Sequence, residues 1–296
     1  MQPSLLASAL VAGIVSGSLY GMIAVGYLVV YKATRIFNLA QGDLVMVGVL
    51  LSYFFLVIER WPIPVAVLGV VVSVVCISLL EERLVVRPLL RLGHSQISWF
   101  IATLAVSLII ETIAADIYGF APPEPIPSPL LASHITLGVV TISWQYALAF
   151  AGLVVIVVTL EWFYRNTWTG QAMRATAEDR EAASLTGIDP NVISRTAFAV
   201  AGLIAGIAGL VIGPIVFANP TIGLTYSLEG FLALAIGGFG SVRGAIVGAL
   251  LLGLAEQLWS VYFGAQLDSL AGLVLLVLLL AVRPSGIFGG ALGRQV

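Results

Sequence analysis

The chain has 296 residues, of which 60% are hydrophobic and only 9% charged, with a formal net charge of −2. Soluble domains carry about a quarter charged residues, so this composition, with a mean hydropathy of +1.08, excludes a soluble enzyme, anchored or not. It is that of an all-α, polytopic transmembrane bundle in a single domain, residues 1–296, with no nucleic-acid partner expected.

A bilayer crossing needs about 20 apolar residues. Leu5 to Tyr31 reads as a first span, with Gly13, Gly17 and Gly21 on one face where another helix can approach. No basic region precedes it, so a cleaved signal peptide is not expected. Asn38 to Ile58 is a second span with a polar start, NLAQGD, and Ile63 to Leu80 a third. Cys76 lies in that third run and reads as a buried, inert thiol. Gln96 to Tyr118 is a fourth span containing Glu111. Residues 119–142 form a proline-rich loop that helix geometry disfavours. Trp144 to Tyr164 is a fifth span with aromatic residues at both ends.

Residues 170–190, GQAMRATAEDREAASLTGIDP, are the longest strongly polar interval and predict one short helix between two spans. Gly187 stops it, and Asp189-Pro190 caps and starts the next segment. Its alanines would let another protein's surface come close. Val192 to Phe217 is a sixth span. Leu228 to Ile236 is short for a crossing and runs into GGFGSVRGAIVG, after which helices over Ala245–Phe263 and Leu267–Val282 follow. Gly237, Gly238, Gly240 and Gly244 therefore mark a broken or re-entrant helix, for a total of eight to nine membrane segments.

Placing all of the 13 basic residues except Arg60 on one side satisfies the positive-inside bias. The polar helix and the C-terminus are then cytoplasmic, and the proline-rich loop and N-terminus are outside, with an odd number of crossings. The chemistry available is limited. His94 and His134 sit in loops, and no metal-ligand cluster, nucleophile elbow or phosphate-binding loop is present, so no catalytic residue, bound metal or cofactor is expected. Buried polar groups are the remaining signal, because charges at depth face a bundle interior or an aqueous path. Asn38, Gln41, Asp43, Glu111 and Glu256 are candidates to line such a path, or to fix helix packing.

Four stretches resemble the inner-membrane permease subunits of branched-chain amino acid ABC importers: GSLYGMIAVGYLVVY (17–31), RIFNLAQGD (35–43), AMRATAEDREAASLTGI (172–188) and GGFGSVRGAIVGALLLGLAEQL (237–258). Gln41 stands where that family commonly has a histidine, and Arg243 where it often has a neutral residue or proline. The resemblance implies that 172–188 is the ATPase-coupling segment. Arg174, Ala177, Glu178, Asp179, Arg180, Ala182, Ala183 and Gly187 would then make polar contacts or allow close docking. It further implies a second, similar permease subunit, two cytoplasmic ATPases that bind the ATP, and a periplasmic substrate-binding protein, at the bacterial inner membrane. The substrate would be a branched-chain amino acid or a related small amino acid or amide. The alternatives are a stand-alone ion-coupled transporter or channel using Asp43, Glu111 or Glu256, and a sugar or nucleoside ABC permease.

Overall fold

The computed structural model describes residues 3–92, 96–119, 123–137, 140–264 and 267–288. His94 and the side chain of Arg180 lie outside the described residues. The helices are α1 (Pro3–Thr34), α2 (Gln41–Tyr53), α3 (Ile63–Glu81), α4 (Arg87–Leu92), α5 (Gln96–Tyr118), α6 (Pro129–Ala132), α7 (Trp144–Asn166), α8 (Trp168–Glu178), α9 (Arg180–Leu185), α10 (Pro190–Val216), α11 (Gly223–Gly237), α12 (Val242–Phe263) and α13 (Asp268–Val282). A π-helical turn at Phe54–Ile58 lengthens α2, and another at Glu82–Val86 joins α3 to α4.

Seven helical stretches are long and apolar enough to cross a membrane, and α11 and α13 are shorter apolar helices of 15 residues. α1, α2 and α10 form the inner layer, whereas α3, α5, α7 and α13 carry most of the exposed apolar surface. Glycine stripes set the inner contacts. Gly13 and Gly17 face Leu250, Gly253 and Leu254 of α12 so closely that a Cβ on either would sit 2.8–2.9 Å from α12 backbone. A Cβ on Gly209 of α10 would lie 2.6–2.7 Å from the backbone of Gly48 and Val49 in α2. The glycine faces read from sequence are thus helix contacts within this chain.

The bundle has two ends. At one lie α8 and α9, the C-terminus of α1, the π-turn after α3, the α11–α12 turn and the chain after α13, where Ile287 and Phe288 amides donate to the carbonyls of Ile236 and Gly237. At the other lies the antiparallel hairpin β1 (His134–Leu137) and β2 (Val140–Ser143), with Glu124 bridged to Ala218.

Several boundaries differ from expectation. α2 starts at Gln41, because Asn38 turns its side chain back on the Ala40 amide and keeps 38–40 out of the helix. The polar interval holds two helices, since Asp179 is extended (φ −147°, ψ 109°). The proline-rich loop contains a one-turn helix with Pro129 in its first turn and, after it, the hairpin, so the fold is all-α apart from two short strands. Cys76 is exposed on the outer surface of α3 rather than buried. Gly238 (φ 101°) and Gly240 (φ 137°) make the α11–α12 turn, but at the α8 end of the bundle. Irregular backbone also stands at 35–40 and 217–222, directly before α2 and α11.

Candidate functional site

The α8–α9 end is built from caps. The Gly170 amide donates to Thr167 Oγ1 (3.0 Å) and starts α8. Asp179 Oδ1 accepts from the Ala182 amide (2.9 Å) and starts α9. At Gly187 (φ +90°) the Ile188 amide donates to Ala183 O and the Gly187 amide to Ser184 O, the paired bonds of a glycine helix stop. Asp189 then caps α10, and hydrogen bonds from the Asn191 backbone and side-chain amides hold its carboxyl below the usual carboxylate range.

α8 buries Gly170, Met173 and Thr176, spaced three apart, against the bundle. Arg174, Glu178, Asp179, Ala182 and Gly187 point outward, Ala177 is half-buried, and Ala183 is buried. Ala183 therefore packs inward and offers no docking surface. Trp168 (90% exposed) and Leu185 (88%) are large apolar side chains left uncovered on this polar end.

A side-chain hydrogen bond also ties α8 to the chain just past α1. Arg35 Nη2 donates to the carbonyl of Ala177, in the last turn of α8. Arg35 stands just past α1 in the left-handed region (φ 61°), with its amide bonded to Tyr31 O (2.8 Å), a place usually taken by glycine. Two residues on, Phe37 stacks on Tyr31 (4.4 Å between centroids) and meets Phe239 (4.9 Å) and Phe231 (5.5 Å) edge-on. These four rings pack together where α1 ends, beside the α11–α12 turn.

Behind them, Ser227 of α11 ties the broken backbone together. Its hydroxyl donates to Leu39 O (2.6 Å) and accepts from the Gly42 amide (3.0 Å), and Tyr27 donates to Ser227 O (3.1 Å). Asn38 Nδ2 donates to Glu81 Oε2 (3.1 Å), and Gln41 Nε2 to Ala201 O (3.2 Å). Asp43 sits in the first turn of α2 and against Gly223, the first residue of α11, so both helix N-termini converge on it. Among the described residues, neither of its buried carboxylate oxygens meets full hydrogen-bond geometry, and the Ser107 hydroxyl of α5 faces them. A second polar group lies apart, where Tyr20 donates to Glu256 Oε2 (2.8 Å) with Glu229 close by. Glu111 is partly exposed on α5, within electrostatic reach of Asp43.

The family described as branched-chain amino acid transport system, permease component, matches residues 9–283. The chain belongs to that family. The permease is 30% identical over 292 residues to the high-affinity branched-chain amino acid transport system permease protein BraD of Pseudomonas aeruginosa, covering 95% of this chain and 94% of the relative. It is 28% identical over 289 residues to the permease protein LivH of Escherichia coli K12, covering 94% and 93%. The solved structure "PsaBC from Streptococcus pneumoniae in complex with Fab" aligns with 96% of this chain and 94% of that one, at a TM-score of 0.50 and 13% identity, a likeness of fold.

In the permease, the sequence-read polar residues separate into two places. Asn38, Gln41 and Asp43 come together with Glu81, with Glu111 on α5 within electrostatic reach of Asp43, whereas Glu256 belongs to the Tyr20 group. Glu81 and Ser227 escaped the sequence reading. Glu81 ends an apolar run beside Glu82 and reads as interfacial, yet it is only 5% exposed, because the π-turn continues the helix. Leu185 and Trp168 carried a usable signal: apolar residues in a polar interval that the bundle has no reason to bury.

Proposed function

We propose that this permease forms half of the transmembrane pathway of an ABC importer for branched-chain or related small amino acids or amides, in the bacterial inner membrane. Two cytoplasmic ATPases would seat the α8–α9 end, a second, similar permease would complete the pathway, and a periplasmic binding protein would deliver substrate at the hairpin end. The observation that carries this reading is the α8–α9 pair. It is capped at every terminus, anchored through Met173, and presents Arg174, Glu178, Asp179, Ala182 and Leu185 outward.

Transport against a gradient needs two states whose populations a second binding event shifts. Closure of the ATPases on α8–α9 would supply that shift. The Arg35–Ala177 bond would pass it to 35–40, and thence to Phe37 and the start of α2. The pathway would run past Glu111, with Asp43 behind it and the four aromatic rings as its inner closure.

Reconstitution tests this. The permease with its ATPase and permease partners should accumulate leucine only with ATP and binding protein. Gradient-driven uptake by this chain alone would favour the ion-coupled alternative and refute the reading.

A further inference from the structure

A basic cleft opens on the outer side of the bundle, at the α8 end and away from α8 itself. It encloses about 290 Å³ and is lined by Leu79, Glu82, Arg83, Arg87 and Arg195. The π-turn at Glu82–Val86 creates it. Widening the helix brings residues five apart into register, so Arg87 lies over Glu82, donating from Nη2 to Oε2 at 2.8 Å and from Nε to Oε1 at 3.3 Å. Glu82 is 1% exposed and Arg87 14%, so this pair forms the floor and is spent on itself.

Arg83, one residue on, and Arg195, from the second turn of α10, form no ion pair among the described residues and are exposed. Outside the lining, the exposed Asp189 carboxylate feels Arg195. Among the described residues that line the cleft, three guanidinium groups face the single carboxylate of Glu82, already engaged by Arg87. The surrounding surface is apolar, with Leu80 54%, Leu84 69% and Val192 49% exposed.

We propose that this cleft binds the phosphate of an anionic lipid headgroup. Guanidinium forks match phosphate oxygens in bidentate geometry. Two unneutralised arginines above an apolar wall fit a ligand that is charged at one end and hydrocarbon at the other. Basic pockets between helices at one membrane face are the usual form of such sites. A docked protein would have to lie on Leu80 and Leu84, which belong to the hydrocarbon-facing skin, so the lipid is the occupant the surface favours.

The test uses the permease purified with its partner subunits, titrated with phosphatidylglycerol, phosphatidylcholine or inorganic phosphate, and read by native mass spectrometry. Phosphatidylglycerol should be retained in preference to phosphatidylcholine. Arg83→Gln and Arg195→Gln should each weaken it about fivefold, and the double variant about 25-fold, at roughly one basic contact each. Arg83→Lys, which keeps the charge but loses the fork, should fall between the wild type and Arg83→Gln, and Arg60→Gln, at the opposite end, should keep full affinity. Unchanged phosphatidylglycerol retention in a double variant that still melts like the wild type would overturn the proposal. So would displacement by millimolar inorganic phosphate without any lipid preference, which would assign the site to a free anion. Loss of ATPase association with lipid retention intact would overturn it too, in favour of a protein contact.

Discussion

The Arg35 link makes the sharpest prediction. A hydrogen bond from a charged donor contributes about 1.5–3 kcal/mol when sheltered. The bond from Arg35 to Ala177 O is exposed, which reduces it to about 1 kcal/mol. If it transmits α8 movement to 35–40, its loss should lower leucine transported per ATP hydrolysed about fivefold, with hydrolysis and membrane insertion retained. Arg35 also holds a left-handed backbone conformation (φ 61°), which disfavours a side chain by about 1–2 kcal/mol. Arg35→Gly cuts the link and relieves that strain, whereas Arg35→Ala cuts the link and keeps it. Both variants should be uncoupled to the same extent in proteoliposomes, while Arg35→Gly melts higher than Arg35→Ala. Wild-type coupling in Arg35→Gly would show that Arg35 serves only the helix end, and the transmission route would be wrong.

Phe37→Ala removes three ring contacts of about 0.5–1.5 kcal/mol each. Reconstituted complexes carrying it should leak leucine without ATP, and a tight variant would refute the aromatic closure. Gly42→Ala would push a Cβ to 2.5 Å from Gly223 O and Ser227 Oγ. Overpacking of about 1–3 kcal/mol should lower its melting midpoint, while Gly152→Ala, whose Cβ would meet nothing nearer than 3.6 Å, should leave it unchanged. Asp43→Asn should melt higher than wild type yet transport less. A buried carboxylate carries a desolvation penalty of several kcal/mol, whereas two helix N-termini return about 0.3–2 kcal/mol each. A lower melting midpoint with full transport would mean that Asp43 is a satisfied packing group.

The polar segment was legible because its signals are local. Asp189-Pro190 and Gly187 behave as their side chains and backbone freedom dictate. The break at Asp179 was not, because the choice between continuing a helix and recapping rests on the Asp179–Ala182 bond, which competes almost evenly with helix continuation. The glycine face at 13 and 17 was legible as a close contact, but its partner on α12 is a long-range fact. Asn38, Gln41 and Asp43 stood out as polar residues at depth. That Glu81 joins them depends on α3 running on through a π-turn, which no periodicity in ERLVV announces. The glycine run at 237–244 advertised the backbone break that Gly238 and Gly240 make at the α8 end of the bundle. Glycine reports the need for unusual torsions, not the level along the bundle at which they fall.

That depth matters for how such a chain can move. α11 spans about 22 Å at 1.5 Å per residue, short of a hydrocarbon core of about 30 Å, so its N-terminus must start inside. α2 starts inside as well, and the two meet at Asp43. Irregular backbone survives at that level only if side chains satisfy it, and the Ser227 hydroxyl does so for both segments at once, through Leu39 O and the Gly42 amide. A helix interior resists bending because each turn's bonds must break together. The 35–40 segment is held instead by a few separable side-chain bonds, so it can change angle without unravelling α1 or α2. It is also the segment that Arg35 ties to α8. A stretch of backbone held by side-chain bonds rather than by a helix ladder is thus the one wired to the end of the bundle where an outside force would be applied.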